Sequence, residues 1–190
     1  MSSPLTSSHN GIILDACCVM NLYASGQMAE VIASIIELVA VTVYVKNIEA
    51  LFIYKQSSPD TLPAKVSVDL QPLIDQGLLQ TVDLETDAEK ISFINLTASR
   101  MDDGEAMTGA IALHRHWAIA TDDRQCRTVF RREAPQIQLI STAELVKHWV
   151  DTIKPEACVV CQVLKNIEAG ANYLVGVKDP LYNWWQTNKL

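Results

Sequence analysis

Strand-like and helix-like segments alternate along the first 150 of this chain's 190 residues, and no other feature constrains its fold as strongly. A parallel strand can be reached only by a crossover, and the crossover is usually a helix. The alternation therefore predicts an α/β domain with a mostly parallel sheet and helices on both faces. Gly11 to Leu14 reads as a buried strand ending in Asp15. Met28 to Leu38 is apolar around most of its circumference and reads as a buried helix. The β-branched run Val39 to Val45 reads as a second strand. Asn47 can cap a helix over Ile48 to Tyr54, and Ser57 to Pro63 has the composition of a loop. A short helix over Leu70 to Gln76, closed by Gly77, precedes strand character from Leu78 to Leu84. Asp87 to Arg100 reads as a helix, and Asp102 or Asp103 caps another reaching about His116. Trp117 to Ala120 is a fourth strand, and a helix over Arg124 to Arg132 stops before Pro135. After a fifth strand, Ile137 to Ile140, Ser141 and Glu144 have the spacing of a capping box for a helix to about Ile153.

These segments divide the chain into a flexible N-terminus (1–10), a sheet domain (11–153) and a helical, aromatic extension (154–190). In the extension Pro155 starts a helix to about Tyr173. Leu181, Tyr182, Trp184 and Trp185 follow, and such an apolar end is expected to dock on its own domain or across a homodimer. The longest apolar run, Val31 to Val45, is broken by Glu37 and falls short of the roughly 18 residues of a membrane span, so no membrane partner is expected. A polar N-terminus without a basic region gives no signal peptide. Five cysteines, an odd number, then read as reduced thiols of a cytoplasmic protein. A net charge of −7 argues against a broad basic surface for nucleic acid. It does not exclude a nucleic-acid substrate, because acids that hold a cation form a neutral or positive site once loaded.

The acids at the strand ends point to such a site. In a parallel sheet Asp15 and the Asp122–Asp123 pair leave the same rim. Glu105 lies in the first turn of a helix beginning there, and Glu49 follows the second strand. Clustered carboxylates repel and would stay partly protonated. Mg²⁺ or Mn²⁺ resolves the conflict, because hard cations prefer oxygen ligands and keep water positions open. Capping explains Asp102 and Asp103 well, and explains Glu49 taken alone about as well as a metal does. It explains Asp15 poorly, since a carboxylate directly after Ile12–Ile13–Leu14 needs a partner.

Three segments carry a family likeness. Ile12-Ile13-Leu14-Asp15-Ala16-Cys17-Cys18-Val19-Met20-Asn21-Leu22 resembles the opening strand and turn of PIN-domain nucleases. The run from Asp103-Gly104-Glu105 to Leu113 is similar to the family's Gly-Glu helix, and Ala118-Ile119-Ala120-Thr121-Asp122-Asp123-Arg124 to its Thr-Asp-Asp strand end. Ser141-Thr142-Ala143-Glu144-Leu145 fits its last strand-to-helix step. The resemblance spans roughly residues 10 to 150 and implies a Rossmann-like α/β/α sandwich with Mg²⁺- or Mn²⁺-dependent RNA cleavage, as in the toxins of toxin–antitoxin pairs. It implies metal ligation by Asp15, Glu105 and Asp123, with Asp122 beside them and Glu49 as a further acid. An antitoxin protein would then be a partner. The stretch from Gln56 to Asp87 and the tail after residue 153 are additions to the compact toxins of that family.

Arg124, Arg127 and Arg131 share a helix face beside Asp123, with Arg132 adjacent, and are expected to contact RNA phosphates; otherwise they form a solvated face. His114 and His116 fall at the far end of the Glu105 helix and are expected to be structural. The Cys158–Cys161 pair lacks two further zinc ligands nearby and is expected to pack in the core. Cys17 and Cys18 are expected beneath the acid site rather than as nucleophiles. The alternative to a nuclease is a non-catalytic binding or dimerisation module of the same fold. A phosphotransfer domain would want an acid where Cys17 stands.

Overall fold

The computed structural model describes residues 9–50, 52–55, 62–99 and 101–190. Most of the expected flexible N-terminus, most of the loop expected over 57–63 and the expected helix end at Arg100 lie outside the described residues. Among the described residues the strands are β1 (Gly11–Leu14), β2 (Leu38–Thr42), β3 (Phe52–Lys55), β4 (Ala64–Ser67), β5 (Gln80–Val82), β6 (Ala118–Ala120) and β7 (Leu139–Ile140). The helices are α1 (Ala16–Ser25), α2 (Met28–Ala33), α3 (Gln71–Asp75), α4 (Asp87–Ala98), α5 (Asp103–Arg115), α6 (Arg124–Glu133), α7 (Thr142–Ile153), α8 (Ala157–Ala171) and α9 (Tyr182–Asn188). A π-helical turn spans Val45–Glu49.

Five strands form one parallel sheet in the order β5-β2-β1-β6-β7. Successive strand residues point to opposite faces, so the sheet separates two cores. Ile12, Leu14, Val39 and Val41 pack with α1, α2, α7 and α8; Ile13, Ala40 and Ile119 pack with α4, α5 and α6. The expected α/β fold with a mostly parallel sheet and helices on both faces is therefore present.

The helix expected over Ile48 to Tyr54 is replaced by the π-helical turn and strand β3. Phe52, Ile53 and Tyr54 are aromatic or β-branched and fit a pleated surface. Ile53 turns inward while Phe52 and Tyr54 stay outside, and β3 pairs antiparallel with β4. Asn47 lies within the turn, whose Val45 N–H is accepted by Thr42 Oγ1 at 3.0 Å. The expected helix from Met28 stops at Ala33, and Leu38 already belongs to β2. Helix α1 was not anticipated: Ala16 to Ser25 reads locally as a turn, yet buries Cys18, Val19 and Leu22 completely.

Helix α8 lies against α1 and sends Val160, Val163, Leu164 and Ile167 into the core. Trp185 of α9 is fully buried, and its indole N–H donates to Glu168 at 2.9 Å. Core packing of both C-x-x-C cysteines is not found. Cys158 is exposed and Cys161 half-buried, because the apolar stripe of α8 begins at Val160 and leaves Cys158 on the solvent side of the first turn. His114 shares a hydrogen bond with Ser92, and His116 ends α5 in the left-handed region. Among the described residues no helix is long and apolar enough to cross a membrane.

Candidate metal centre

The register aligns the carboxyl ends of the central strands, since Leu14 pairs with both Val41 and Ala120, and Ala120 with Ile140. The ladder runs one residue further: Asp15 N–H donates to Ala120 O at 3.0 Å and Thr121 N–H to Ile140 O at 2.9 Å. Asp15, Thr121 and Ser141 thus lie along one rim, where ligands of open α/β sheets bind.

Asp15 caps α1, accepting the Ala16 N–H at 2.8 Å through one oxygen. Its other oxygen accepts the Thr121 hydroxyl at 2.8 Å and the Cys17 thiol at 3.2 Å. The residue is 5% exposed, and burial raises its pKa against the lowering effect of those three donors. Asp123 caps α6 through the Cys126 N–H at 2.7 Å, and its own N–H donates to Thr121 Oγ1 at 3.2 Å. One threonine hydroxyl therefore ties the two aspartates together. Sequence reasoning gave Thr121 no role, although its position between a strand and an acid pair was the available signal.

Glu105 stands in the first turn of α5, in a capping box with Asp102. Glu49, at the end of the π-helical turn, lays its carboxylate against the backbone of Gly104, where a Cβ would overlap it. Four elements thus bring Asp15, Glu49, Glu105 and Asp123 to one edge, with Asp102 and Asp103 at the margin. Burial first, then the charges of Asp102, Asp15, Glu105 and Asp103, push Glu49 up to about 7. Burial first, then Asp102, Asp15 and Asp123, push Glu105 up to about 7 against its hydrogen bond from the Asp102 backbone. Among the described residues no lysine, arginine or histidine forms an ion pair with these acids.

Two outcomes follow from this geometry. A carboxyl whose folded pKa lies above its ordinary 4.5 binds more protons in the native state than in the unfolded one. Its contribution to the stability of the metal-free protein is fully present below that ordinary value and is lost as pH rises towards about 7. Glu49→Gln should therefore raise the metal-free Tm at pH 8 and change it little at pH 4.5, as thermal scans at the two pH values would show. Gly104→Ala should force the Glu49 carboxylate aside, at a cost of about 1–3 kcal/mol. A cation held at this edge would raise Tm, and Gly104→Ala should weaken any such rise on adding Mn²⁺; an unchanged response would show that Glu49 is not held there for a cation.

Asp122 is placed differently. Its carboxylate accepts the Asn21 amide at 2.9 Å, the Thr142 N–H at 3.0 Å, the Thr142 hydroxyl and the Cys18 thiol at 3.4 Å. It joins α1 and α7 to the end of β6. Cys17, Cys18 and Asp122 do bring ligand atoms within 4.8 Å of one another. Burial holds the Cys18 thiol well above its ordinary range, and all three side chains are hydrogen-bonded. Both cysteines sit beneath the acid edge.

No family model matches the chain, and no curated protein or solved structure matches it. What the edge can hold is then a matter of its donor set. Four carboxylates from separate elements, one packed on a glycine that leaves it space, form an all-oxygen donor set, whereas the ligand atoms found within 4.8 Å of one another among the described residues are those of Cys17, Cys18 and Asp122.

The three predicted phosphate contacts are divided. Arg127 donates to the Thr121 carbonyl at 2.8 Å and so braces the strand end that carries the acids. Arg124 and Arg131 are exposed. All three line the wall of a cavity of about 810 Å³ next to Asp122.

Proposed function

We propose that this chain is a divalent-metal-dependent endoribonuclease of PIN-like type, with Asp15, Glu49, Glu105 and Asp123 as the ligands of Mg²⁺ or Mn²⁺. The observation that carries the reading is the placement of Asp15 and Asp123 at neighbouring strand ends of a parallel sheet, with Glu49 and Glu105 near enough to feel their charge and no lysine, arginine or histidine paired with these acids among the described residues. The resemblance of the three acid-bearing segments to PIN nucleases supplies the substrate class. When bound, the cation would activate water for attack on the phosphodiester and offset charge on the leaving oxygen.

The chain's own residues hold that edge in place. Thr121 fixes Asp15 and Asp123 relative to each other, and Arg127 holds the Thr121 carbonyl. Asp122 anchors the start of α7 to α1 behind them. Preorganisation of this kind makes the ligands available without rearrangement as charge develops. In this reading Asp122 positions the ligands rather than serving as one. The test is incubation of the purified full chain with single-stranded RNA and Mn²⁺, with EDTA as control. Internal cleavage that EDTA abolishes is expected; no cleavage under any divalent cation would overturn the proposal.

A further inference from the structure

A cavity of about 810 Å³ does not lie over the acid edge but beside it. One wall is the arginine face of α6. The opposite wall is the segment 173–181 that joins α8 to α9. That segment is held at its start, where Tyr173 packs edge-on against the buried Trp185, their ring centroids 5.5 Å apart, and it turns on itself at its end, where Asp179 accepts the Leu181 N–H at 2.8 Å. Between these points Val175 is buried, while Leu174 and Val177 remain exposed beside Lys178. A wall with an apolar side chain on each side of a buried anchor, and a lysine next to them, suits a base and its phosphate.

The charges in the cavity are arranged unequally. Its three acids are each occupied: Asp122 by Asn21 and Thr142, Glu144 by the Ser141 N–H and hydroxyl, and Asp179 by the Leu181 N–H. Among the described residues no ion pair engages Arg124, Arg131 or Lys178. The cations are therefore available to a ligand, and the acids are already committed to donors. Asp122 lies in this lining and is followed directly by Asp123 of the acid edge, so the two sites adjoin.

We infer that the groove between α6 and the 173–181 segment binds a nucleotide of single-stranded RNA next to the phosphodiester that is cut, its phosphate held by Arg124, Arg131 and Lys178 and its base against Leu174 and Val177. The inference rests on the ribonuclease reading for the choice of RNA. The volume is of the size that takes a small organic ligand, and packing a base face against aliphatic side chains leaves its edges unread, so the contact tolerates any sequence. The groove also gives the aromatic extension a purpose, since Trp185 fixes Tyr173 and hence the start of the wall.

The test uses the full chain in EDTA, so that no cleavage contributes, and a single-stranded oligouridine carrying one 4-thiouridine and a fluorescent end label. Anisotropy at several salt concentrations should show binding, and photocrosslinking followed by peptide mapping should place the thiouridine within residues 173–181. Lys178→Gln and Arg131→Gln, each checked for an unchanged Tm, should each weaken binding several-fold. Each should also reduce the slope of log K against log salt by roughly 0.7, the value for one phosphate contact on a single strand. An absence of binding by wild type, a crosslink that maps elsewhere, or variants that bind as wild type would each overturn the groove assignment. A parallel incubation with Mn²⁺ separates the two claims. Cleavage without a groove crosslink leaves the nuclease reading standing and removes this one. A groove crosslink without cleavage under any cation does the reverse.

Discussion

Asp15→Asn should lower Mn²⁺-dependent RNA cleavage by on the order of 10³-fold or more, and should leave the metal-free protein at least as stable as wild type. Asp15 is 5% exposed, and it spends one oxygen on the Ala16 N–H and the other on Thr121 and Cys17. Asparagine keeps an oxygen for Ala16, so the cap of α1 survives. Its amide can donate to Thr121 Oγ1 once the hydroxyl rotates. The substitution thus removes charge while preserving shape. Burial already raises the Asp15 pKa, so loss of the charge relieves the metal-free protein of a cost. The loaded protein loses the ligand nearest the sheet, and with it the increase in Tm that saturating Mn²⁺ gives to a native state that binds it. Cleavage assays and thermal scans with and without Mn²⁺ check both halves. Cleavage by the variant at the wild-type rate would remove Asp15 from the site, whatever happened to Tm.

The parts of this site that were legible in the sequence are those fixed by strand ends. An apolar run followed by an acid is a local pattern, and parallel pairing brings two such ends to the same rim whatever lies between them. Asp15 and Asp123 are therefore readable. Glu105 follows because Asp102 and Glu105 have capping-box spacing, which fixes where α5 starts. Glu49 was harder. Its placement depends on a π-helical turn, a local departure from the regular helix that leaves no periodic trace in five residues. Gly104 was read only as part of a motif; that it makes room for Glu49 is a contact between residues 55 positions apart.

Other features were illegible for the same reason. Helix α1 has apolar residues nearly all round, and a 10-residue apolar segment after a strand carries no amphipathic signal of its own. The β3–β4 hairpin pairs Phe52 with Ser67 across a segment whose composition marks only a loop. Arg115 lies between His114 and His116, and its sequence neighbours give no sign of a partner. In the structure it donates to the buried Glu89 at 2.7 Å. Burial alone would raise Glu89, but the bonds from Arg115 and from the Thr86 and Glu85 backbone prevail and hold it down to about 2. That pair locks α4 to the end of α5, a role that depends on partners 26 residues apart. The wall at 173–181 belongs to the same class, since only the docking of Trp185 brings it opposite α6.

Asp122→Ala is expected to do the opposite of Asp15→Asn, and the contrast separates two acids that are nearly indistinguishable in sequence. The Asp122 carboxylate gathers donors from two helices, and without it the Thr142 N–H at the start of α7 and the Asn21 amide lose their charged acceptor. Asn21 is 4% exposed and Thr142 is fully buried, so water cannot readily replace it. Asn21 keeps one bond, to Thr142 Oγ1 at 3.1 Å, which limits the loss. Stranding such donors costs about 2–4 kcal/mol, or a fall in Tm of roughly 5–15 °C in a domain of this size. The increment that Mn²⁺ adds to Tm should persist in the variant, because Asp15, Glu49, Glu105 and Asp123 are untouched. Asp122→Asn should fall between, since its oxygen still accepts the Thr142 N–H while its amide faces the Asn21 donor. An Asp122→Ala protein that melts like wild type but has lost its response to Mn²⁺ would make Asp122 a metal ligand rather than the strut between α1 and α7.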